Sequence, residues 1–444
     1  MTTKARRNNV KGAPKKIPKI MASSMASLLV PNIPVESDKK SEFTGKWVLF
    51  FKNDNNAFPN DTAKRSKQSS TSNAIIQSKV VYTTGNGWTI YDNRSGSEVD
   101  LTTETSFKEY LDNVNAHGDS LLEVYERCAK DLITIGNFAV EVVQIGGRTN
   151  IYHIDATTVR LEKMDSKGLI NYGYLSSSWT DIGNSPRGNW QDTITPIEIY
   201  KKGKRQKNSL IYTRDYAPEF RYYGLPDHYA SAFWQDIEYR IGRFNVDRFD
   251  NGFMPSGIVD LYGEPPDGMN AKEYVDEIVR KFTGAGNNSK ILFQLLDSQD
   301  QKSSIQIFDK IKDGDFINLQ KLARESIIMS HRYTPALSGL ATSGSLGSNQ
   351  QIMTEFEIVN NTVIKGYKTK LLKVFNNLIH EIGFPNFELE VYTSMPVSYA
   401  SAIKPNEVLT INEQRNLIGF KGIDDLEGQF VKQDTTENID VTNN

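Results

Sequence analysis

Short runs of alternating apolar and polar residues dominate the first half of this chain, and long helical spacings dominate the second. In the first half, Asn73–Tyr82 reads as a helix and Thr84-Gly-Asn-Gly87 as a tight turn ahead of a strand, Trp88-Thr-Ile-Tyr91. A further helix is predicted from Ser120 to about Leu132, with Leu121, Leu122, Tyr125, Cys128 and Leu132 on one face. Phe138–Val143 and Asn150–Ile154 flank Gly146-Gly147, a hairpin signal, because two-residue turns need positive φ. Thr158–Leu161, Gly173–Leu175, Ile194–Tyr200 and Leu210–Tyr212 add more strands. The order predicts an α+β arrangement with an antiparallel sheet rather than alternating βαβ units.

At Pro226 the pattern changes. Tyr229, Phe233, Ile237, Ile241 and Phe244 form a helical stripe that ends near Asp250, before Asn251-Gly252 and Pro255. Asp236 and Arg240 stand at i,i+4 in the favourable order for an ion pair. A small αβ insert follows. It reads as a strand at Gly257–Leu261, a helix capped by Asn270 with Glu273, and strands at Lys290–Leu296 and Ser304–Ile311. A second long helix covers Asp315–Arg332, and a Gly/Ser-rich loop covers Thr334–Ser348. The third helix, about Asn349 to Ile382, would be ~50 Å long at 1.5 Å per residue. Its stripe is Ile352, Phe356, Val359, Val363, Tyr367, Leu371, Phe375, Leu378 and Ile382, with Gly366 as a candidate bend. Thr410-Ile-Asn-Glu413 is a capping box, with Gly419 at the expected end of that helix.

The termini differ from this. Residues 1–40 carry Lys4, Arg6, Arg7, Lys11, Lys15, Lys16 and Lys19 with almost no acidic balance, and read as a disordered basic arm. Such an arm tethers DNA or an acidic surface, or is simply solvated. Lys52–Ser72 is a polar stretch, and the segment from about residue 430 on is acidic, polar and expected to be disordered.

Composition adds little. A formal net charge of −2 does not announce a nucleic-acid binder. Cys128 is the single cysteine, and its apolar helical setting reads as a core thiol made in a reducing compartment. No apolar run approaches the roughly 20 residues that span a bilayer, so no membrane role is expected. Met21–Val30 is short and Ser-rich, unlike a cleaved signal.

Catalytic patterns are missing. The loop Gly339–Ser348 follows a helix and lacks the lysine of a phosphate-binding loop. His380-Glu381 begins like a zinc-protease helix, but position 384 is Phe. The five histidines are scattered, and no acidic triad stands out. No enzyme activity, cofactor or metal is expected.

The order of elements resembles that of the tailed-bacteriophage portal proteins, the head–tail connectors, of the siphophage type. Six segments carry the resemblance: Tyr-Thr-Thr-Gly-Asn-Gly (82–87), Gly-Asn-Phe-Ala-Val-Glu-Val-Val (136–143), Tyr-Tyr-Gly-Leu-Pro (222–226), Asp250–Ile258, His331–Gly339 and Leu409–Arg415. The resemblance implies an α+β portal fold: an α/β wing (41–225), a first stem helix (226–252), an αβ clip insert (253–312) and a second stem helix (313–333). A tunnel loop (334–348), a long helix with a returning wing strand (349–404), a short crown-like helix (405–430) and a tail (431–444) would follow. The basic arm has no counterpart in the resemblance, and the short C-terminal segment leaves little room for a large crown.

The resemblance further implies a closed homo-oligomeric ring, usually of twelve subunits, at one capsid vertex. Double-stranded DNA would pass through it. The partners implied are the terminase large subunit, a head–tail connector or adaptor protein, the major capsid protein and scaffold. The location implied is the virion, with assembly in the host cytoplasm. Thr342, Ser343 and Ser345 would line the constriction, where short hydroxyl side chains touch phosphates without holding them; the same composition also makes an ordinary linker. Lys310, Lys312, Lys321 and Arg324 are candidate channel cations or a solvated face. Glu264, Asp267 and Asn270 are the expected partner surface of the clip. Two other readings compete. A packaging ATPase would need the missing phosphate loop and metal cluster, and a smaller head–tail adaptor ring would not need a helix pair with an insert.

Overall fold

A computed structural model of the protein describes residues 47–51, 56–182, 194–204, 206–250, 257–262, 270, 291–296, 313–338, 349–393, 395–396, 410 and 412–413. All of these belong to the unit Pro34–Asn444.

The polar stretch after residue 52 contains a helix that its composition does not announce, α1 (Phe58–Gln68). It abuts α2 (Ser70–Thr84), and Ser69 serves both: it ends α1, and its Oγ accepts from Ser72 N at 3.1 Å to cap α2. α1 buries Phe58 and Pro59 in its first turn and Thr62 and Ser66 further on, so beyond that turn its inward face carries small hydroxyl residues. β1 (Trp88–Asp92) follows, and then α3 (Thr105–Asp112), a short helix with only Phe107, Tyr110 and Leu111 buried.

α4 (Leu121–Ile135) has the start and stop its sequence asks for. Ser120 and Glu123 close a reciprocal capping box, and Gly136 takes the left-handed conformation at the end. The chain reverses through β2 (Asn137–Ile145) and β3 (Arg148–Ile154), with both turn glycines at positive φ, 61° and 84°. β4 (Val159–Leu161), β5 (Tyr172–Leu175), a single turn α5 (Trp179–Ile182), β6 (Thr195–Glu198) and β7 (Asn208–Arg214) complete this half. They make two antiparallel sheets, ordered β3-β2-β7 and β4-β5-β6. The antiparallel α+β expectation holds.

A 3-10 turn, Asp227–Ser231, leads into α6 (Ala232–Asp250). β8 (Gly257–Tyr262) and β9 (Ile291–Leu296) pair in parallel between α6 and α7 (Asp313–Ser330), which packs on α6. The expected cap at Glu273, the strand at Ser304–Ile311 and Gly419 lie outside the described residues. The last helix is α8 (Asn349–Val359), a π-helical turn (Asn360–Ile364) and α9 (Lys365–Ile382) without a break. β10 (Phe387–Val391) then pairs antiparallel with β1, tying the chain's return to its first strand.

Two expectations change. The irregularity of the long helix is the π turn, not Gly366, which sits in regular helix with open space around it. The cause is in the stripe: Val359, Val363, Tyr367, Leu371 and Phe375 step by four, and each step drifts about 40° in an ideal α-helix. A π turn takes up one extra residue and returns the stripe to the core. The second concerns Asp236, whose partner is Arg65 of α1 at 3.2 Å rather than Arg240, because α1 packs across α6.

One apolar core joins α2, α4, β2 and α9 through Ile75, Tyr125, Cys128, Phe138, Tyr367 and Phe375. A second, aromatic one holds Phe50, Phe51 and Phe58 against Tyr223, with Phe50 and Tyr223 stacked at 4.0 Å. Arg160 closes that second core. It is fully buried and donates to Asn56 Oδ1 (2.7 Å), Asn56 O (2.6 Å), Thr157 O (2.9 Å) and Val159 O (2.7 Å). Burial without a carboxylate partner pushes its guanidinium down to about 10.

Candidate functional site

Two of the segments singled out in the sequence meet where the helix pair α6/α7 leaves the body. Gly136 and Gly224 cross so closely that a Cβ on Gly224 would lie 2.3 Å from Gly136 O, and one on Gly136 would lie 2.6 Å from the Leu225 carbonyl carbon. Asn137 locks the crossing: its side chain accepts from Gly224 N at 2.6 Å and donates to Gly224 O at 3.2 Å and Ile135 O at 2.8 Å. Asp215 N donates to Gly136 O at 2.7 Å. A third segment, beginning at His331, arrives at the same place.

Beneath the crossing lies a buried polar cluster. His228 and His331 stack at 4.5 Å and 15°. His228 Nε2 lies 3.1 Å from Thr134 O, and His331 Nε2 lies 3.0 Å from Ser72 Oγ. Lys79, on the inward face of α2, is fully buried with no hydrogen-bond partner on Nζ, which stands 5.7 Å from the centre of the Tyr367 ring. Asp227 accepts from Arg332 and from the Tyr367 hydroxyl (2.8 Å). Burial alone would raise the Asp227 carboxyl, but these two bonds outweigh it and hold it below its usual range. Burial pushes Lys79 down to about 7 and His228 to about 4, and it takes His331 well below the ordinary imidazole range. Glu238 of α6 is gripped by Ser69 and by Ser70 (2.9 Å) and Thr71 (2.7 Å) of the body.

The helix pair itself shows the reverse pattern. α6 buries Ala232, Gln235, Glu238 and Ile241, while Tyr239, Phe244 and Val246 are exposed. On α7, Ile317, Leu322 and Met329 are exposed, Met329 by 75%. Phe244 stacks on Phe316 at 4.9 Å, joining the two helices.

Of the residues expected to carry function, Thr342, Ser343, Ser345, Lys310, Lys312, Glu264 and Asp267 lie outside the described residues. Asn270 is exposed. Lys321 is exposed and stands 4.0 Å from Glu325 one turn on, and Arg324 on the same helix is half-buried. Sequence reasoning missed the cluster. Its one legible sign was Lys79 in register with Ile75, Ile76 and Val80 on a buried face, a lysine where an aliphatic residue belongs.

Among the described residues, no group of three or more His, Cys, Asp or Glu side chains is placed to hold a metal. An open cleft of about 560 Å³ between α1, α4 and the turn after β3 is lined by Lys64, Lys67, Lys130, Asp131 and Asp155. Its Asp131 is already engaged, 2.9 Å from His153 Nε2 and 3.0 Å from Ala156 N. Cys128 is buried and its thiol is pushed up by burial, so it is no nucleophile. No helix among the described residues is long and apolar enough to cross a membrane.

The described fold is an α+β body with a packed helix pair that leaves several apolar side chains exposed. The family model for the phage portal protein matches residues 86–419, and the chain belongs to that family. It is a structural protein of the virion, at the portal vertex of the capsid. The "Probable portal protein" of Haemophilus phage HP1 (strain HP1c1) is 26% identical over 196 residues, covering 40% of this chain and 55% of that protein. The chain thus spans about half the length of the curated relative it matches. Among solved structures, a chain of "Neck of empty GTA particle computed with C6 symmetry" shares the fold at a TM-score of 0.50 and 13% identity, over 81% of this chain and 94% of that one. A chain of "Virion of native gene transfer agent (GTA) particle" is similar at a TM-score of 0.49 and 13% identity, over 81% and 93%.

Proposed function

We propose that copies of this chain close into a ring at one capsid vertex and that double-stranded DNA is packaged and ejected through it. The observation that carries this reading is the exposure of apolar side chains on the helix pair, Tyr239 and Val246 on α6 and Ile317, Leu322 and Met329 on α7, in a chain of the portal family. Repeated head to tail around an axis, each such surface finds a neighbour, and the rotation closes the ring.

In this reading residues 41–225 form the wing, α6 and α7 the stem, 253–312 the clip, 334–348 the tunnel loop and 405–430 a small crown-like helix. The parallel pair β8/β9 between the stem helices supports a compact clip. Thr342, Ser343 and Ser345 line the constriction. Lys310, Lys312, Lys321 and Arg324 are repeated once per subunit, so a modest charge becomes a ring of charge. DNA has to slide, and each neutralised phosphate strengthens binding, so a channel with few cations suits passage. The clip, through Glu264, Asp267 and Asn270, docks the terminase large subunit during filling and the head–tail connector afterwards. The capsid protein and scaffold surround the wing.

Negative-stain electron microscopy of the purified full chain tests this. Rings with a central hole wide enough for duplex DNA are expected. Monomers at every protein and salt concentration would overturn it.

A further inference from the structure

Three bases from distant parts of the chain share one buried volume at the root of the helix pair. Lys79 comes from α2, His228 from the turn ahead of α6, and His331 from the segment just after α7. None is more than 2% exposed. The carboxylates around them are already engaged: Asp227 by Arg332 and Tyr367, Asp215 by Lys370, and Glu238 by the hydroxyls of Ser69, Ser70 and Thr71. Arg332 and Lys370 bring further positive charge to the same place. The remaining contacts are neutral: Ser72 to His331, and Thr134 O and Gln235 to His228. Among the described residues, His331 Nδ1 and Lys79 Nζ have no hydrogen-bond partner, and Lys79 Nζ meets only the face of the Tyr367 ring at 5.7 Å.

We propose that this cluster is a proton-operated latch between the helix pair and the body, locked while Lys79 and the two stacked imidazoles are neutral and released when they take up protons. The geometry leaves an added proton nowhere to go. One imidazolium stacked at 4.5 Å on the other ring, beside a lysine with no hydrogen-bond partner, meets like charge in a buried site. The nearest carboxylate, Asp227, attracts both Lys79 and His228 but is already held by Arg332 and Tyr367, so burial outweighs it. Parting α6 and α7 from the body lets water reach all three bases, so the open form binds protons more readily than the closed one. Burial holds His228 at about 4 against an ordinary 6.5, so the balance shifts towards opening as pH falls from about 6.5 to about 4. Lys79, held at about 7 against 10.5, adds a shift in the same sense as pH falls from about 10.5 to about 7. The latch works within one chain, whether or not the chain forms a ring.

Hydrogen–deuterium exchange on the full chain, corrected for the intrinsic pH dependence of exchange, reads it directly. Peptides over residues 227–241 and 316–333 report the root, and those over 121–130, away from the Thr134 contact with His228, report α4 as an internal reference. From about pH 7 to about pH 5, root protection is expected to fall at least about tenfold, the effect of one pKa unit, while α4 changes less than about twofold. His228→Gln with His331→Gln keeps hydrogen-bonding capacity but takes no proton there, and it flattens the root profile. Lys79→Met alone raises root protection at pH 7. Parallel profiles for root and α4 in the wild type overturn the latch on their own, even if the glutamine variant does not fold. An unchanged profile in a folded glutamine variant does the same.

Discussion

α4 and α6 are both amphipathic by sequence, yet they are buried differently. In α4 the apolar stripe is the buried face: Leu121, Val124, Tyr125, Cys128 and Leu132 all face the core. In α6 the side chains sealed against the body include Gln235 and Glu238, while Tyr239, Phe244 and Val246 remain exposed. α4 completes its burial within one chain. α6 buries Gln235 and Glu238 alongside Ala232 and Ile241 and still leaves Tyr239 and Val246 exposed. A helical stripe in a sequence therefore says that a helix will be covered, not by what.

That contrast can be tested by substitution. The largest effect is expected at the backbone crossing, which both regions share. Gly224→Ala places a Cβ against Gly136 O and Asp215, with backbone on every side, and should cost roughly 3 kcal/mol or more in urea unfolding. A folded protein of normal stability would mean that the crossing can relax.

Next comes the open surface of the pair. Ile317→Asp with Met329→Asp should abolish ring formation in size-exclusion chromatography with light scattering while leaving the monomer's thermal midpoint nearly unchanged, since both residues are exposed in one chain. A large drop in that midpoint would mean that they are buried within the subunit instead.

In the aromatic core, Arg160→Met removes the donor to four acceptors, of which Asn56 Oδ1 keeps its bond from Phe50 N. A loss of about 2–4 kcal/mol is expected by denaturant titration. The smallest effect, and of opposite sign, is predicted at the root. Lys79→Met removes a buried, unpartnered ammonium and should raise stability by about 1–2 kcal/mol at pH 7. The gain should fade towards pH 10.5: the unfolded lysine holds its proton up to that point while the folded one, at about 7, has lost it, so wild-type stability climbs over this window. A gain independent of pH would point to packing rather than charge.

Much of the fold was legible because local signals and tertiary burial agreed. Ser120 with Glu123 and Gly136 mark both ends of α4, Gly146-Gly147 turns the hairpin, and Thr410 with Glu413 forms the expected capping box. α1 was missed because its buried apolar residues, Phe58 and Pro59, stand only in the first turn and Thr62 and Ser66 continue the face, and α3 because three apolar residues in a short helix make a weak period. The root cluster was illegible for a different reason. Lys79, His228 and His331 each look like ordinary polar residues where they stand, and no spacing links them.

The sequence by itself determined the helix and strand types, most of their boundaries, the α+β class and the resemblance to portal proteins, because capping, turn chemistry and hydrophobic period act over a few neighbouring residues. Only the tertiary structure decided that Asp236 pairs with Arg65, that the long helix takes up its drift in a π turn, and that three bases from distant segments are buried together. Those outcomes depend on which distant segments share a space, and on the loss of water there, which turns an unremarkable lysine and two histidines into a strained buried cluster.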